Sequence, residues 1–510
     1  MTYLTVPILD FEAEAFSWAL QGAVAGGADM VELRLDFAAG AQPAQVQPWV
    51  EEARHAGLRV MVTCRPEWEG GHFSGDARNR LTLLQAAAAA GADLIDLEWR
   101  AVRESADFAA FFEQIRHKTV LSHHDFHQCP TDLEQRVAQM KRLEPAVCKV
   151  AYQPANITEC FAALDLMSED VLAMAMGQAG TMTRLLAPKV GAFLTFCGLN
   201  EQAVSAPGQI ELQQMKQLYR WDSVGSQTSC FGVIGSPVAH SMSPAIHNAS
   251  FGEVGFDGLY LPLLVDPAYD IFAAFIDGLR KRPWLGFRGM SVTIPHKENA
   301  LRYLQEHNGG IDPLARRIGA VNTIVLREDG RVMGTNTDYL GALEPIRREM
   351  LRLDRTLSDS HAAVVGAGGV SRAIVAGLCD AGCKVTIYNR TADKARRLAQ
   401  EFQCKHAPIE QLSSLKADII VNGTSLGMSP HIDATPVPQD VLGNGTIVFD
   451  SVYNPPETLL LHQARQAGAA TIDGVSMFVQ QAAAQFHLFT GEQPPLELMR
   501  SIVEQRLSQA

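Results

Sequence analysis

The sequence has no long hydrophobic run and no recognisable targeting segment. None of its windows approaches the roughly 20 apolar residues that a membrane-spanning helix needs. The first residues, MTYLTVPILDFEAE, lack the basic start and apolar stretch of a secretory signal. We therefore expect no membrane association and a cytoplasmic location, with an organelle as the alternative if a transit peptide has been removed.

The sequence also lacks paired metal-ligand spacings and an excess of positive charge. Its nine cysteines are an odd number and mostly lie in apolar runs, so we expect reduced thiols and no metal site. The formal net charge of −13 argues against nucleic-acid binding and favours small molecules as partners. With 47% hydrophobic and 19% charged residues in a chain of 510, the composition is that of folded domains with large cores.

Eight short apolar or β-branched runs alternate with Ala-, Leu- and Glu-rich stretches in the first part of the chain. This alternation predicts parallel strands joined by crossover helices, and eight such units indicate an α/β fold of the closed (β/α)8 type, the TIM barrel. Such barrels keep their chemistry at the C-terminal ends of the strands. The predicted strands are residues 3–9, 30–36, 58–64, 92–98, 119–125, 147–152, 171–176 and 192–197.

Charged residues occur where predicted barrel strands end, and Lys149 in VCKVAY is the most informative. Burial among apolar neighbours favours the neutral amine, which can attack a ketone and form a Schiff base. His124 ends the preceding strand, next to that of Lys149 in a barrel, and can act as the base at the carbon beside the imine. The alternatives are an ion pair between Lys149 and a carboxylate such as Glu32, and a structural histidine within HHDFH.

Several motifs of the first 215 residues occur in a fixed order: ELRLD, the run from Arg65 through Glu69 to Gly71, SHHDF, KVAY, MGQAGTMTR and SAPGQ. Together they resemble the type I 3-dehydroquinate dehydratase family. The resemblance implies that Lys149 forms the Schiff base, that His124 is the acid and base, and that Glu69 orients His124. It also implies that the carboxylate and hydroxyl groups of the substrate are bound by Glu32, Arg34, Arg65, Arg184, Ser205 and Gln209.

A Gly-rich turn in VVGAGGVSRA follows a predicted buried strand and opens a helix. Backbone amides at such a turn can hold a pyrophosphate, and we predict this role for Gly366, Ala367, Gly368 and Gly369 in a Rossmann-like fold. Ser371 in the sixth place departs from G-x-G-x-x-G, so a plain tight turn is the alternative. The next strand ends in Asn389, Arg390 and Thr391 rather than in an acidic residue, which favours NADP over NAD.

Further motifs surround this turn: GSPVAHSMSPAIHN, MSVTIPHKE, GAVNT, GTNTDYLG, DSVYNP and GVSMFVQQA. Each alone is compatible with turn chemistry, but in this order they resemble shikimate dehydrogenase over residues 228–510. The resemblance implies a catalytic pair, Lys297 and Asp338, in which the lysine protonates the alkoxide formed by reduction. It also implies that shikimate is bound by Ser241, Ser243, Thr293, Asn322, Tyr453 and Gln481.

The combined resemblances predict three domains: a dehydratase barrel at residues 1–224, a shikimate-binding subdomain at 228–335 that is completed by helices at 475–510, and a Rossmann-like NADP-binding subdomain at 336–474. The order resembles that of the fused plant-type enzymes, a lyase followed by an oxidoreductase of the shikimate pathway, which makes aromatic amino acids. Such an enzyme dehydrates 3-dehydroquinate to 3-dehydroshikimate and then reduces it to shikimate.

Three alternatives remain open at this level. The first is a non-catalytic regulatory protein that senses quinate or shikimate, against which the presence of Lys149, His124, Lys297 and Asp338 argues. The second is a chain with one degenerate half. The third is a dehydrogenase with a preference for quinate, because Ser291 occupies a place where many bacterial members of the family carry asparagine. The sequence leaves the oligomeric state open, with a monomer favoured.

Overall fold

The computed structural model describes residues 2–200, 208–239 and 241–509. These residues form two compact units, one of Met1–Ala239 with Asp257–Phe287 and the other of His240–Phe256 with Arg288–Ala510. None of the described helices is long and apolar enough to cross a membrane.

The first unit is built around eight parallel strands, as predicted. They are β1 (Tyr3–Ile8), β2 (Met30–Arg34), β3 (Arg59–Thr63), β4 (Leu94–Glu98), β5 (Thr119–Asp125), β6 (Val147–Tyr152), β7 (Val171–Ala175) and β8 (Leu194–Phe196). They pair in the order β7-β6-β5-β4-β3-β2-β1-β8. The two end strands contribute Leu172, Met174, Leu194 and Phe196 to one core cluster, so the sheet curves into a nearly closed barrel.

Helices connect these strands and cover the outside of the barrel, which explains why the strands are buried on both faces. The helices are α1 (Ala13–Ala25), α2 (Pro43–His55), α3 (Ala77–Ala89), α4 (Trp99–Glu104), α5 (Ala106–Ile115), α6 (Leu133–Lys141), α7 (Cys160–Leu166) and α8 (Thr181–Leu185). The strand predicted at residues 30–36 ends two residues earlier, at Arg34, because Leu35–Phe37 forms a 3-10 turn.

The rest of the chain adds further strands and helices. The strands are β9 (Ser229–Gly235), β10 (Gly258–Leu264), β11 (Phe287–Val292), β12 (Gly310–Ile311), β13 (Thr323–Leu326), β14 (Val332–Thr335), β15 (His361–Val365), β16 (Lys384–Asn389), β17 (Lys405–Pro408), β18 (Ile419–Asn422), β19 (Ile447–Asp450) and β20 (Ala470–Ile472). The helices are α9 (Ser243–Glu253), α10 (Tyr269–Arg280), α11 (Lys297–Glu306), α12 (Pro313–Ile318), α13 (Asp338–Arg352), α14 (Gly369–Asp380), α15 (Ala392–Phe402), α16 (Leu459–Gln466), α17 (Gly474–Thr490) and α18 (Leu496–Gln509). Within the first unit, β9 and β10 pair in parallel.

The second unit contains two sets of strands. In the first set, β13 pairs antiparallel with both β11 and β14, and β14 pairs in parallel with β12. The second set is a parallel sheet in the order β17-β16-β15-β18-β19-β20. Numbered from β15, this is the order 3-2-1-4-5-6 of a doubly wound dinucleotide-binding fold, which confirms the Rossmann-like prediction.

Alternate residues of β15 face opposite layers of this parallel sheet. Ala362 and Val364 belong to one core cluster, and Ala363 and Val365 belong to the other. The sheet is therefore covered on both faces, which leaves the carboxyl ends of its strands as the place for a ligand. Helix α17 packs against α13, α18 and α9, so the C-terminal helices return to the part of the unit that α9 and α13 form.

Candidate active sites

A cavity of about 570 Å³ opens at the C-terminal ends of the barrel strands. Glu32 and Arg34 come from β2, His124 from β5 and Lys149 from β6, while Arg184 comes from α8. Ser205 lies outside the described residues. Every other residue predicted for the dehydratase site lines this cavity: Glu32, Arg34, Arg65, Glu69, His124, Lys149, Arg184 and Gln209.

Lys149 is buried, with 5% of its surface exposed, and its ammonium faces two carboxylates. Its Nζ lies 3.1 Å from Asp96 Oδ2 and 3.9 Å from Glu32 Oε1. The Phe196 ring lies against the same nitrogen, at 4.5 Å from its centroid. Lys149 therefore does form an ion pair, which was one alternative that the sequence left open. Its nearer carboxylate is that of Asp96 and not that of Glu32.

Asp96 was missed by the sequence reasoning, although it is central to the site. Its side chain is fully buried, and it also binds Arg65 at 2.8 Å and accepts a 2.6 Å hydrogen bond from Ser122. Burial alone would raise its pKa, but Arg65 and Lys149 outweigh burial and hold the pKa far below its ordinary value. Asp96 is therefore an anion beside Lys149. The signal was present in LIDLE, where Asp96 and Glu98 share one face of β4.

Arg65 is held by protein groups rather than left free for a ligand. Its guanidinium binds Asp96, Glu98 at 2.9 Å and the Ser122 hydroxyl at 2.7 Å. Glu98 in turn pairs with Arg80. Arg65 lines the cavity wall, but its strongest contacts fix the acidic residues of β4.

His124 and Glu69 form a hydrogen-bonded pair at the same cavity. Glu69 Oε1 lies 3.0 Å from both the backbone nitrogen and the ring Nδ1 of His124. Burial raises the pKa of Glu69 to about 8 and lowers that of His124 well below its ordinary value, so both groups are neutral near pH 7. Two contacts to one acceptor oxygen favour the tautomer with hydrogen on Nδ1, which leaves Nε2 free as a base.

Arg184 is the buried cation of the cavity without a carboxylate partner among the described residues. It is 2% exposed, and within the described residues its Nη1 donates only to the sulfur of Met174 at 3.6 Å while its Nε has no hydrogen-bond partner. Burial lowers its pKa to about 10. A buried, uncompensated guanidinium is costly, and an anionic ligand group would relieve that cost.

In the second unit, Lys297 and Asp338 form an ion pair with 2.5 Å between Nζ and Oδ2. The amide of Asn322 donates to the other oxygen of Asp338 at 2.8 Å, and its own oxygen accepts from the backbone N–H of Thr337. Both members of the pair are partly exposed, at 30% for the lysine side chain and 13% for the aspartate. The structure thus brings three of the predicted dehydrogenase residues together.

The other predicted dehydrogenase residues lie on separate segments of the same unit. Ser241 and Ser243 lie together at the start of α9, where the Ser243 backbone N–H donates to Ser241 Oγ at 3.3 Å. Thr293 directly follows β11. Tyr453 is 40% exposed and stacks on Phe478 of α17 with 5.4 Å between ring centroids, and Gln481 lies one turn further along that helix.

A buried glutamine was missed on α17. Gln485 accepts a 2.7 Å hydrogen bond from Ser291 and donates to the Asn322 carbonyl at 3.2 Å and to the Thr323 hydroxyl at 2.9 Å. It therefore ties α17 to the strand ends that carry Asn322. Ser291, the residue on which the quinate alternative rests, is 6% exposed and donates to this glutamine.

The Gly-rich turn lies between β15 and α14. Gly366 has a φ of +112°, and a Cβ there would lie 2.8–3.0 Å from Ser371, Thr424 and Gly423, so a side chain does not fit. A Cβ on Gly368 or Gly369 would meet open space, which leaves room beside the amides that begin α14. At the end of β16, Arg390 and Thr391 are exposed, and Asn389 donates to the Thr391 carbonyl at 2.9 Å. These residues line the position where a doubly wound sheet binds a dinucleotide.

Four protein-family models match successive parts of the chain. They are Type I 3-dehydroquinase at residues 5–226, Shikimate dehydrogenase substrate binding domain at 233–324, Shikimate / quinate 5-dehydrogenase at 349–434 and Shikimate 5'-dehydrogenase C-terminal domain at 474–504.

The matches include relatives of nearly the whole chain and relatives of its second part alone. The chloroplastic bifunctional 3-dehydroquinate dehydratase/shikimate dehydrogenase of Arabidopsis thaliana is 35% identical over 495 residues, or 94% of this chain and 80% of that protein. A shikimate dehydrogenase (NADP(+)) of Methanosarcina mazei is 43% identical over 54% of this chain and 98% of its own length. A crystal structure of a shikimate dehydrogenase in complex with NADP+ matches with a TM-score of 0.51 and 35% identity, covering 56% of this chain and 97% of that one.

Proposed function

Because this chain belongs to the family of bifunctional 3-dehydroquinate dehydratase/shikimate dehydrogenases, we propose how its residues divide the two reactions. The enzyme dehydrates 3-dehydroquinate to 3-dehydroshikimate and reduces that product to shikimate with NADPH. The observation that carries the residue assignment is the buried Lys149, which shares one cavity with His124 and with Arg184, a cation that no described carboxylate pairs.

Lys149 is the nucleophile of the dehydration. Its ammonium first releases a proton, and the free amine adds to the substrate ketone. That proton is taken up again as one water leaves, so an iminium ion forms. Asp96, 3.1 Å from Nζ, stabilises that positive charge. The iminium withdraws electrons from the neighbouring carbon, so a C–H proton there becomes acidic enough for a histidine to remove.

His124 moves the proton in both directions. Its Nε2 takes the proton from carbon, and the resulting imidazolium returns it to the hydroxyl on the next carbon, which leaves as water while the double bond forms. Glu69 holds Nδ1 and so keeps Nε2 directed at the substrate. Water then hydrolyses the imine and restores Lys149.

The remaining cavity residues bind and orient the substrate. Arg184 takes the substrate carboxylate, since it is the cation whose charge no described carboxylate balances. Glu32 and Arg34 hold ring hydroxyls, and Gln209 and Ser205 complete this set by the family resemblance. Arg65 contributes chiefly through Asp96 and Glu98.

Lys297 and Asp338 serve the reduction. The Lys297 ammonium, held by Asp338, donates a proton to the carbonyl oxygen as negative charge develops there. Asn322 keeps Asp338 in place and, with Ser241, Ser243, Thr293, Tyr453 and Gln481, binds the hydroxyls and carboxylate of the substrate.

NADPH fits the second unit. Gly368 and Gly369 have no side chains, and the space beside them leaves room for the pyrophosphate of the cofactor. When bound, NADPH supplies the two electrons of the reduction. Gly366, Ala367, Gly368 and Gly369 form the phosphate-binding turn. Arg390, which has no ion-pair partner among the described residues, binds the 2′-phosphate between Asn389 and Thr391.

The domain bounds, location and assembly belong to the same proposal. We propose domains at 1–224, at 228–335 with 475–510, and at 336–474; packing of α9 on α17 and α18 supports the split middle domain. Nine free cysteines suit a reducing compartment, which supports the cytoplasm, with an organelle as the alternative. The partners are 3-dehydroquinate, 3-dehydroshikimate and shikimate, and the proposed state is a monomer.

A coupled assay tests both activities in one chain. Purified protein with NADPH receives either 3-dehydroquinate or 3-dehydroshikimate, and NADPH absorbance is followed. Oxidation with both substrates is expected. Oxidation with 3-dehydroshikimate alone would contradict the barrel assignment, and oxidation with neither would favour the non-catalytic sensor. Shikimate and quinate are compared in the reverse direction with NADP+ to test the substrate preference.

Borohydride reduction tests the lysine. With 3-dehydroquinate it should fix ligand mass on the wild type and on the control Lys141→Ala, whose lysine is exposed on α6. It should add none to Lys149→Ala, while the dehydrogenase rate of that variant stays unchanged. An equal adduct on Lys149→Ala would overturn the assignment.

A further inference from the structure

Asp36 is a buried carboxylate two residues after the end of β2, in the 3-10 turn Leu35–Phe37, and it does not line the cavity. Its side chain is fully buried. Both of its oxygens bind one guanidinium: Arg34 Nε donates to Oδ1 at 2.9 Å, and Arg34 Nη2 donates to Oδ2 at 2.7 Å. This bidentate contact fixes the plane of the guanidinium.

The contact uses one edge of Arg34 and leaves the rest for a ligand. An arginine has five N–H donors, and Asp36 takes two of them. Within the described part of the chain, the other three have no protein acceptor, and Arg34 lines the cavity. Arg34 also lies over the Phe37 ring, at 5.0 Å from its centroid.

Asp36 also contacts a neighbouring loop. Its Oδ2 accepts a 3.2 Å hydrogen bond from the backbone N–H of His72. His72 belongs to the loop at residues 66–73, which also carries Glu69. The backbone N–H of Phe73 donates to the carbonyl of Arg65 at 3.1 Å and closes this loop. Because Glu69 holds the ring of His124, one carboxylate contacts both the substrate-binding arginine and the loop that orients the proposed base.

We propose that Asp36 is a positioning residue of the dehydratase, which sets the Arg34 guanidinium for substrate binding through both oxygens and anchors the Glu69 loop through Oδ2. This inference rests on the proposed role of Arg34. It assigns Asp36 two separable effects, one on substrate affinity and one on proton transfer.

Two substitutions separate these effects. In Asp36→Asn, the amide oxygen can stay at the Oδ2 position, where it still accepts from His72 and Arg34 Nη2. The amide NH2 then faces Arg34 Nε. Both groups are hydrogen-bond donors, so the bond from Nε is lost and the guanidinium is held less firmly. Asp36→Ala removes the acceptors of both the arginine and the loop.

For Asp36→Asn in the full chain, we expect the KM for 3-dehydroquinate to rise about tenfold, the effect of one lost charge-assisted hydrogen bond, with kcat changed less than about threefold. For Asp36→Ala, we expect kcat to fall as well and its pH profile to shift, because Glu69 no longer holds His124 firmly. Two readouts show that the protein is folded: the dehydrogenase rate with 3-dehydroshikimate, and capture of 3-dehydroquinate on Lys149 by borohydride. Asp36→Ser, which keeps one short acceptor, is measured in parallel and should raise KM in the same way as Asp36→Asn.

A double-mutant cycle with Arg34→Ala decides between a positioning and a merely structural role. If Asp36 acts on affinity through Arg34, then Asp36→Asn raises KM in the wild type and has no further effect on KM in Arg34→Ala. Additive effects on KM, or an unchanged KM in Asp36→Asn while Arg34→Ala raises it, would overturn the inference. An unchanged KM in Arg34→Ala would instead refute the proposed role of Arg34 itself.

Discussion

Lys297 and Asp338 are the first residues of α11 and α13, and their charged atoms lie 2.5 Å apart. The positive end of a helix dipole stabilises an anion and disfavours a cation. Asp338 is therefore well placed at its helix terminus, whereas the ammonium of Lys297 lies at an unfavourable helix end and is paired with Asp338. Asn322 completes the arrangement by donating to the second oxygen of Asp338.

Lys297→Met should abolish most of the reduction and leave the dehydration intact. Loss of a proton donor typically lowers kcat by about 10²–10⁴-fold. The rate with 3-dehydroshikimate and the rate of 3-dehydroshikimate formation from 3-dehydroquinate are measured on the same preparation. Lys405→Met, an exposed lysine on β17, is the matched control and should keep both rates. A Lys297→Met enzyme that reduces its substrate at the wild-type rate would remove this residue from the mechanism.

Arg184 is buried with no carboxylate partner among the described residues, so we expect its charge to lower the stability of the barrel while serving substrate binding. Arg184→Met fills a similar volume without a charge, so we expect the barrel to become more stable by about 1–2 kcal/mol, while the KM for 3-dehydroquinate rises strongly. The urea midpoint and the dehydratase kinetics are measured together. A variant that is destabilised and binds substrate normally would show that the charge of Arg184 is balanced within the protein.

Much of this architecture could be predicted because parallel α/β folds repeat one local pattern. The strands around Lys149 and His124 were predicted at their observed residues, 147–152 and 119–125. That these two strands lie side by side followed from barrel topology, since consecutive strands of a barrel pair with each other. The Gly-rich turn at Gly366 was similarly predictable, because its backbone conformation excludes side chains.

The contacts between distant segments could not be predicted in the same way. Asp96 is separated from Lys149 by 53 residues, and Gln485 from Ser291 by 194. A buried charge on a strand signals a partner but does not say which one, because the choice depends on register and side-chain direction. For that reason the sequence suggested Glu32 as the partner of Lys149, whereas Asp96 lies closer.

Glu69→Gln should change how stability depends on pH. The pKa of Glu69 is about 8 in the folded protein against an ordinary value of 4.5, since burial disfavours the charged form. A raised acid pKa contributes stability that is fully present below about pH 4.5 and is lost as pH rises through about 8. The wild type should therefore lose stability relative to Glu69→Gln between these values. Urea unfolding of both proteins at pH 5, 7 and 9 checks this, and a constant difference between them would contradict it.

Arg390→Ala should weaken NADP+ binding far more than NAD+ binding, because only NADP+ carries the 2′-phosphate. We expect a loss of about tenfold or more in affinity for NADP+, the value of one charge-assisted contact. Titration calorimetry with each dinucleotide measures this without turnover, and Arg396→Ala, an exposed arginine on α15, is the control. Equal losses for the two dinucleotides would place the 2′-phosphate elsewhere.

Asp96→Asn should impair the dehydratase in two ways that can be measured apart. The substitution removes the anion that Arg65 and Lys149 share, at 2.8 and 3.1 Å, and leaves two buried cations with less compensation. Breaking a buried pair of this kind typically costs about 3–5 kcal/mol, so the urea midpoint of the barrel should fall. The chemical step should slow as well, because the iminium ion on Lys149 loses the carboxylate that stabilises it.

The effect of Asp96→Asn on the rate of dehydration can be measured apart from its effect on stability, because the dehydrogenase activity of the same chain serves as an internal reference. Below its unfolding transition, Asp96→Asn should show a lower kcat for dehydration, slower capture of 3-dehydroquinate by borohydride, and an unchanged dehydrogenase rate. Ser122→Ala is the comparison, since it removes a neutral donor to Asp96 and keeps the charge. Because only the charge acts on the iminium ion, Ser122→Ala should slow capture much less than Asp96→Asn; equal slowing would mean that packing around β4, and not the carboxylate charge, sets the rate.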